Sequence, residues 1–317
     1  MEGMRSRRAP ALAGRAAFPA ALAVAVLAVA MPGVTGCSAG TTPSGIGVEH
    51  SRTAGVLPSA RAAVPRPRHV VVVVMENHSY GEIIGNPEAG FIGALARAGA
   101  LMTGSYAVTH PSEPNYLALF SGGTHGVTSD QCPISINAPN LAAGLSAAGF
   151  SFAGYSEDLP APGSVSCGQG NYARKHVPWT DFSNVPRSVN LPFSSFPRHN
   201  YAALPTVSFV IPNLCDDMHD CSVATGDAWL RAHLGGYARW AMANDSLLIL
   251  TWDEDDGSQA NRIATIFVGQ QVKPGRYGKP VDHYNVLRTI EQAYGLRHDG
   301  QAANHYPITW IWRRSAP

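Results

Sequence analysis

Residues 68–80 read Arg-His-Val-Val-Val-Val-Val-Met-Glu-Asn-His-Ser-Tyr. Five valines and a methionine in a row leave no polar alternation, which is the pattern of a strand buried on both faces in a parallel sheet. The run predicts the central strand of an α/β domain. Glu76, Asn77 and His78 follow it at once, so the backbone leaves the sheet carrying three polar side chains at the carboxyl end of a strand. Open α/β sheets bind their ligands there.

The same arrangement recurs along the rest of the chain. Residues 91–99 have helical spacing and end near a glycine, which makes a strand–loop–helix unit. Residues 101–108 form a second strand that runs into Thr109-His-Pro-Ser-Glu-Pro-Asn115, followed by an apolar stretch. Ser112 is expected as the N-cap of that helix, where the positive end of the helix also suits an approaching phosphate. A helix is expected over 137–148 and a strand over 150–155. A long insertion rich in proline and aromatics then fills 157–205, the kind of segment that shapes or covers a pocket. A strand over 206–211 empties into Asp217-Met-His-Asp220, and a helix over 228–243 follows. The strand 246–252 ends in Asp253-Glu-Asp-Asp256, a crowd of like charges that repel unless a cation or solvent separates them. A strand over 263–268, a helix over 285–294 headed by His283, and an aromatic tail at 308–312 complete the domain.

With 317 residues, 45% hydrophobic and 14% charged, the chain supports one substantial core. The formal charge of +1 includes a basic leader, and the remainder is slightly acidic. Such a balance offers no field for nucleic acid. Residues 1–36 join a basic start to an alanine-rich apolar run and end in Val-Thr-Gly before Cys37, which resembles a bacterial lipobox. They are expected to be a lipoprotein signal peptide, with Cys37 lipidated, 37–67 a flexible spacer and 68–317 the folded domain. The protein is then expected outside the cytoplasmic membrane, as a lipoprotein or secreted, touching the membrane by its lipid anchor alone. Four cysteines remain. In an exported chain without a Cys-x-x-Cys pair they are expected as disulfides. Three connectivities are possible, and Cys132 with Cys167 and Cys215 with Cys221 are favoured because each closes a local loop.

Taken together, Met75-Glu-Asn-His-Ser79, Pro111-Ser-Glu-Pro-Asn-Tyr116, Asp217-Met-His-Asp220, Trp252-Asp-Glu-Asp255 and Asp282-His-Tyr284 carry a resemblance. From about Arg68 to Leu296 the chain resembles the bacterial phosphoesterase family of secreted acid phosphatases and phospholipases C, in the alkaline phosphatase superfamily. The resemblance implies a three-layer sandwich with a mostly parallel sheet between helices. It implies Ser112 as the nucleophile, with Glu76, Asn77, Ser112, Asp253 and Glu254 as metal ligands. Asp217, His219 and His283 match a second metal position, or else His219 and His283 serve phosphate and the leaving oxygen as catalytic groups. The family's two-zinc members have aspartate where Glu76 stands and histidine where Glu254 stands, which leaves one or two ions open among Ca, Mg, Mn and Zn. The oxygen-rich set favours the harder cations. Asn115 and His125 are expected to contact substrate, His110 to support Ser112 from nearby, and Arg174 and Lys175 to be a solvated charge pair. The expected activity is phosphomonoester hydrolysis through a phosphoserine intermediate, on a phosphorylated small molecule or lipid headgroup. A phosphodiesterase or phospholipase C is the second reading, and a non-catalytic lipoprotein that binds a phosphorylated ligand is a third.

Overall fold

The computed structural model describes residues 64–313. Cys37 and the leader lie outside them, as does nearly all of the expected spacer. In chain order the elements are β1 (Val70–Met75), α1 (Tyr80–Ile83), α2 (Gly90–Ala98), β2 (Ala100–Tyr106), α3 (Ser112–Ser121), α4 (Leu141–Ala147) and β3 (Phe152–Ser156). After these come the short strands β4 (Gly168–Gln169), β5 (Tyr172–Ala173) and β6 (Asn190–Pro192), then β7 (Val207–Ile211), α5 (Val223–Ala241), β8 (Leu247–Trp252), β9 (Arg262–Gly269), β10 (Gly275–Tyr277), β11 (Val281–Asp282) and α6 (His283–Tyr294).

Nine strands form one sheet in the order β10-β2-β9-β8-β1-β7-β3-β6, with β11 also paired to β2. Only β9 runs against the rest, so the sheet is mostly parallel as expected. The valine run explains the layering. Val71, Val73 and Met75 belong to the apolar cluster shared with α1, α2 and α5, whereas Val70, Val72 and Val74 belong to the cluster shared with α3, α4 and α6. Alternate side chains of one strand thus enter two separate cores. This is why the segment cannot accommodate a polar residue until the sheet ends at Glu76.

Register aligns the strand ends. Val74 and Met75 of β1 lie beside Thr251 and Trp252 of β8, and Val73 lies beside Val210 of β7. The three chains therefore leave the sheet almost level. Backbone hydrogen bonds continue past the strands, from Glu76 N–H to the Asp217 carbonyl and from Asp253 N–H to the Met75 carbonyl, each 2.9 Å.

The insertion is more ordered than a covering loop. It holds the β4–β5 hairpin, several 3-10 turns and the edge strand β6, which pairs with β3. Cys132–Cys167 ties it to the segment after α3, and Cys215–Cys221 closes the loop after β7, the two pairings favoured from the sequence. Helix boundaries differ from expectation where caps decide them. Asn140 accepts from Ala143 N–H at 3.0 Å, so α4 starts after it. Ser222 caps α5 and sets its earlier start, and Asp282 caps α6, which puts His283 inside the helix. In the tail, Ile308 and Ile311 are buried and Trp312 bridges Val272, a packed anchor with a single strand-like contact.

Candidate active site

Three adjacent strands deliver the acidic residues. Glu76 follows β1, Asp217 follows β7, and Asp253 and Glu254 follow β8; all four are buried. Asn77 has φ 49°, a left-handed conformation that asparagine tolerates better than most residues, and its N–H donates to Asp253 Oδ1 at 3.1 Å. That bond ties the turn after β1 to the turn after β8. Asp217 Oδ1 accepts the N–H of His219 at 2.8 Å, which fixes the loop that the Cys215–Cys221 disulfide closes.

Ser112 corrects its expected place. It is the first residue of α3, not the cap; Pro111 holds the N-cap position and no side chain caps the helix. The hydroxyl is turned to the acids instead. Ser112 Oγ lies 3.2 Å from Glu76 Oε2 and 3.2 Å from Glu254 Oε1, and its single proton can serve either. One turn along α3, on the same face, Tyr116 donates its hydroxyl to Glu76 Oε1.

Two expected substrate contacts do not reach such a position. Asn115 is fully buried: its Oδ1 accepts from Val108 and Thr109 N–H, and its Nδ2 donates to the Thr109 and Pro111 carbonyls and to Glu254 Oε2 at 3.4 Å. All of its capacity goes into holding the approach to α3 and one carboxylate. His125 bonds Ser121 Oγ at 2.7 Å and meets Phe182 edge-on. Ser121 is the last residue of α3, so the helix itself carries His125 about 13 Å from Ser112.

The residue that the sequence did not single out is His176. It lies in the insertion, is 1% exposed, and stacks on Tyr116 with ring centroids 5.1 Å apart. Its Nε2 is 3.2 Å from Glu76 Oε1 and its Nδ1 is 3.3 Å from Asp217 Oδ2. Those atoms are close but poorly aligned for hydrogen bonding, and His176 Nε2, Asp217 Oδ2 and Asp253 Oδ2 have no hydrogen-bond partner although buried. Glu76, His176 and His219 each present a ligand atom within 4.8 Å of the others. The same insertion corrects the expected solvated pair. Arg174 is buried, bonds Asp181 at 3.0 Å and reaches the carbonyls of Ile134, Val165 and Thr180, a structural tether for the segment carrying His176. Lys175 pairs with Asp130 at 2.7 Å.

His283, expected as a ligand or catalytic group, places Nε2 2.7 Å from the Asp253 carbonyl oxygen. A carbonyl only accepts, so this nitrogen carries the proton and is committed to the loop that holds Asp253. His219 is half-buried, with Nδ1 2.7 Å from Asp220. His110 is exposed and supports the serine's surroundings as expected, with Nδ1 2.7 Å from Glu254 Oε2. Beside it opens a cleft of about 490 Å³ lined by Asn77, His110, Pro111 and Glu254.

The Phosphoesterase family pattern matches residues 86–297. The chain belongs to the Phosphoesterase family. A phosphatidylinositol-3-phosphatase of Mycobacterium tuberculosis is 58% identical over 255 residues, which cover 80% of this chain and 85% of that protein. An acid phosphatase of Aspergillus fumigatus is 33% identical over 64% of this chain, which spans 50% of that relative's length. Among solved structures, an alkaline phosphatase superfamily protein from Vibrio parahaemolyticus superposes with TM-score 0.54 at 10% identity, covering 75% of this chain and 69% of the other. The lipoteichoic acid synthase LtaP from Listeria monocytogenes gives 0.53 at 10%, covering 76% and 74%. These likenesses show the fold, which is that of the superfamily.

For a phosphoesterase the electrostatics of this site are informative. Burial raises the Glu76 carboxyl well above its ordinary range, with Asp253 and Asp217 adding to the effect. Asp253 is raised by burial and then by Glu254, Glu254 by its own burial, and Asp217 is pushed up to about 7, chiefly by burial. Burial holds His176 in its neutral form, the form that can donate a lone pair. Packed carboxylates with unpaired oxygens facing a neutral imidazole form a donor set that fits a divalent cation, which would let all of them ionise. The chain is a hydrolase of phosphoric ester bonds, and its site has the residues to hold a metal ion.

Proposed function

We propose that the chain is an exported phosphomonoesterase in which Ser112 Oγ attacks phosphorus and a phosphoserine forms and is then hydrolysed. The observation that carries this reading is the Ser112 hydroxyl, held 3.2 Å from two buried carboxylates of different strands instead of capping its own helix. Ser112 gives its proton to Glu254, whose other oxygen bonds His110 at 2.7 Å at the edge of the cleft. As the new Ser–O–P bond forms, the bond to the ester oxygen breaks. The departing alkoxide takes a proton from solvent at the mouth, where the His110 and His219 rings are partly exposed. Water then attacks phosphorus in the phosphoserine, the Oγ–P bond breaks, Glu254 returns its proton to Ser112 Oγ, and the water's proton leaves to solvent, which restores the one the alkoxide took.

Glu76, Asn77, Ser112, Asp253 and Glu254 would hold a divalent cation, with Asp217, His176 and His219 beside them. When bound, such an ion lowers the pKa of the hydroxyl and draws charge from the phosphate oxygens. The oxygen-rich group favours Mg, Mn or Ca, and the imidazole pair offers a place for a second ion, zinc included. The relatives named as acid phosphatases and as a phosphatidylinositol-3-phosphatase support a monoester substrate, on a small molecule or a lipid headgroup. Purified protein should turn over p-nitrophenyl phosphate much faster than bis-p-nitrophenyl phosphate. The reverse preference would assign the site to a diesterase.

Export and anchoring rest on the leader and on Cys37. Cys37→Ser is expected to move activity from the membrane fraction to the soluble fraction with turnover unchanged. Activity of that variant still sedimenting with membranes would count against lipidation.

A further inference from the structure

A second cavity, of about 520 Å³, lies where residues 193–201 of the insertion cross the outer side of α5. Its chemistry differs from that of the catalytic site. Arg198 and His199 enter it from the insertion, and Arg231, His233 and Arg239 from α5; the lining itself holds no carboxylate, and Asp216 lies close enough to His233 to offset charge on that side alone. Arg231 has Asp227 at 3.6 Å, but that carboxylate also accepts from the N–H groups of Phe91 and Ile92. Among the described residues, Arg198 and Arg239 have no ion-pair partner, and both are exposed. The whole chain carries 23 basic against 22 acidic residues, so this excess of positive charge is a local arrangement and not a consequence of composition.

The base of this cleft is firm and apolar. Phe196 and Tyr201 are buried, and each meets Tyr237 of α5 edge-on. Gly236 admits the Tyr201 hydroxyl, which would stand 2.4 Å from any Cβ at that position. Phe193 packs on Trp229, with His233 between the insertion and the helix. Guanidinium forks match phosphate oxygens in pairs, and the imidazoles donate a ring N–H in either protonation state. The aromatic base suits an organic substituent beside the phosphate. The site is also separate: α5 begins just after the Asp217–His219 loop, and Arg231 and Arg239 lie about 12 Å and 24 Å farther along its axis.

We propose that this cleft is a second binding site, for a phosphate-bearing anion, distinct from the catalytic centre. It does not depend on the Ser112 mechanism. The test uses the full chain carrying Cys37→Ser, so that no acyl anchor contributes, with and without Arg198→Gln/Arg239→Gln. Neither arginine takes part in the catalytic machinery, so kcat/KM on p-nitrophenyl phosphate should be unchanged, which also reports folding; Arg198→Gln alone replaces the pair if it falls. One arm measures sedimentation with phosphatidylcholine vesicles with or without phosphatidylglycerol, and the other titrates pyrophosphate by calorimetry. A lipid-headgroup source predicts a roughly thirtyfold loss of binding to phosphatidylglycerol vesicles in the double variant, with added salt weakening only the parent. A soluble source predicts two pyrophosphate sites in the parent and one in the variant. Equal behaviour of parent and variant with both probes overturns the proposal.

Discussion

Ser112→Ala is expected to give a folded protein with turnover reduced by a factor on the order of 10⁴ or more. The Ser112 hydroxyl caps no helix, because Pro111 occupies the cap position, so removing it costs α3 none of its end bonds. What is lost is one hydrogen bond shared between Glu76 and Glu254, worth about 1 kcal/mol of stability. The urea midpoint should therefore hardly move while kcat collapses. Ser112→Thr keeps an oxygen at the same point and should retain part of the rate, although its extra methyl must enter a buried position. A well-folded Ser112→Ala protein with turnover within tenfold of the parent would remove the covalent mechanism, since among the described residues no other hydroxyl lies against both carboxylates.

Much of this was legible because the relevant signals are local. A β-branched run without polar alternation specifies a two-faced strand, and the first polar residue after it marks where the sheet stops. That alone located Glu76, and the same logic located Asp217, Asp253 and Glu254. The disulfides were legible because each joins cysteines that are consecutive along the chain, 35 and 6 residues apart. The misassignments have a common cause, which is that one-dimensional proximity does not report direction. His125 is near Ser112 along the chain, yet a ten-residue helix puts the two at opposite ends. Ser112 has the sequence surroundings of an N-cap, and only the side chains from β1 and β8 show where its hydroxyl turns. Tyr116 was hidden in an apolar run, although its position four residues after Ser112 places both on one helix face and could have marked it. His176 had no such signal. It lies in an irregular segment, and its partners come from strands far away in sequence.

His176→Phe is expected to lower affinity for the divalent ion proposed at this site by about a hundredfold and to reduce turnover in step. The ring sits between two carboxylates, Glu76 and Asp217, with an unpaired Nε2 3.2 Å from Glu76 Oε1, and a ring nitrogen lies within 4.8 Å of possible ligand atoms of Glu76 and His219. Phenylalanine retains an aromatic surface for Tyr116 but supplies no lone pair, so it separates packing from ligation. If His176 only fills space, the variant should lose stability by about 1 to 3 kcal/mol from the larger ring, with metal content and kcat unchanged. If it is a ligand, equilibrium dialysis should show weaker metal binding, and raising the metal concentration should restore part of the rate. The buried carboxylates that faced the imidazole would then hold their protons more tightly, because the cation that lets them ionise binds less well. A His176→Phe protein with parental metal content and parental turnover would leave His176 as a packing residue, and the candidate metal site would contract to the oxygen ligands around Ser112.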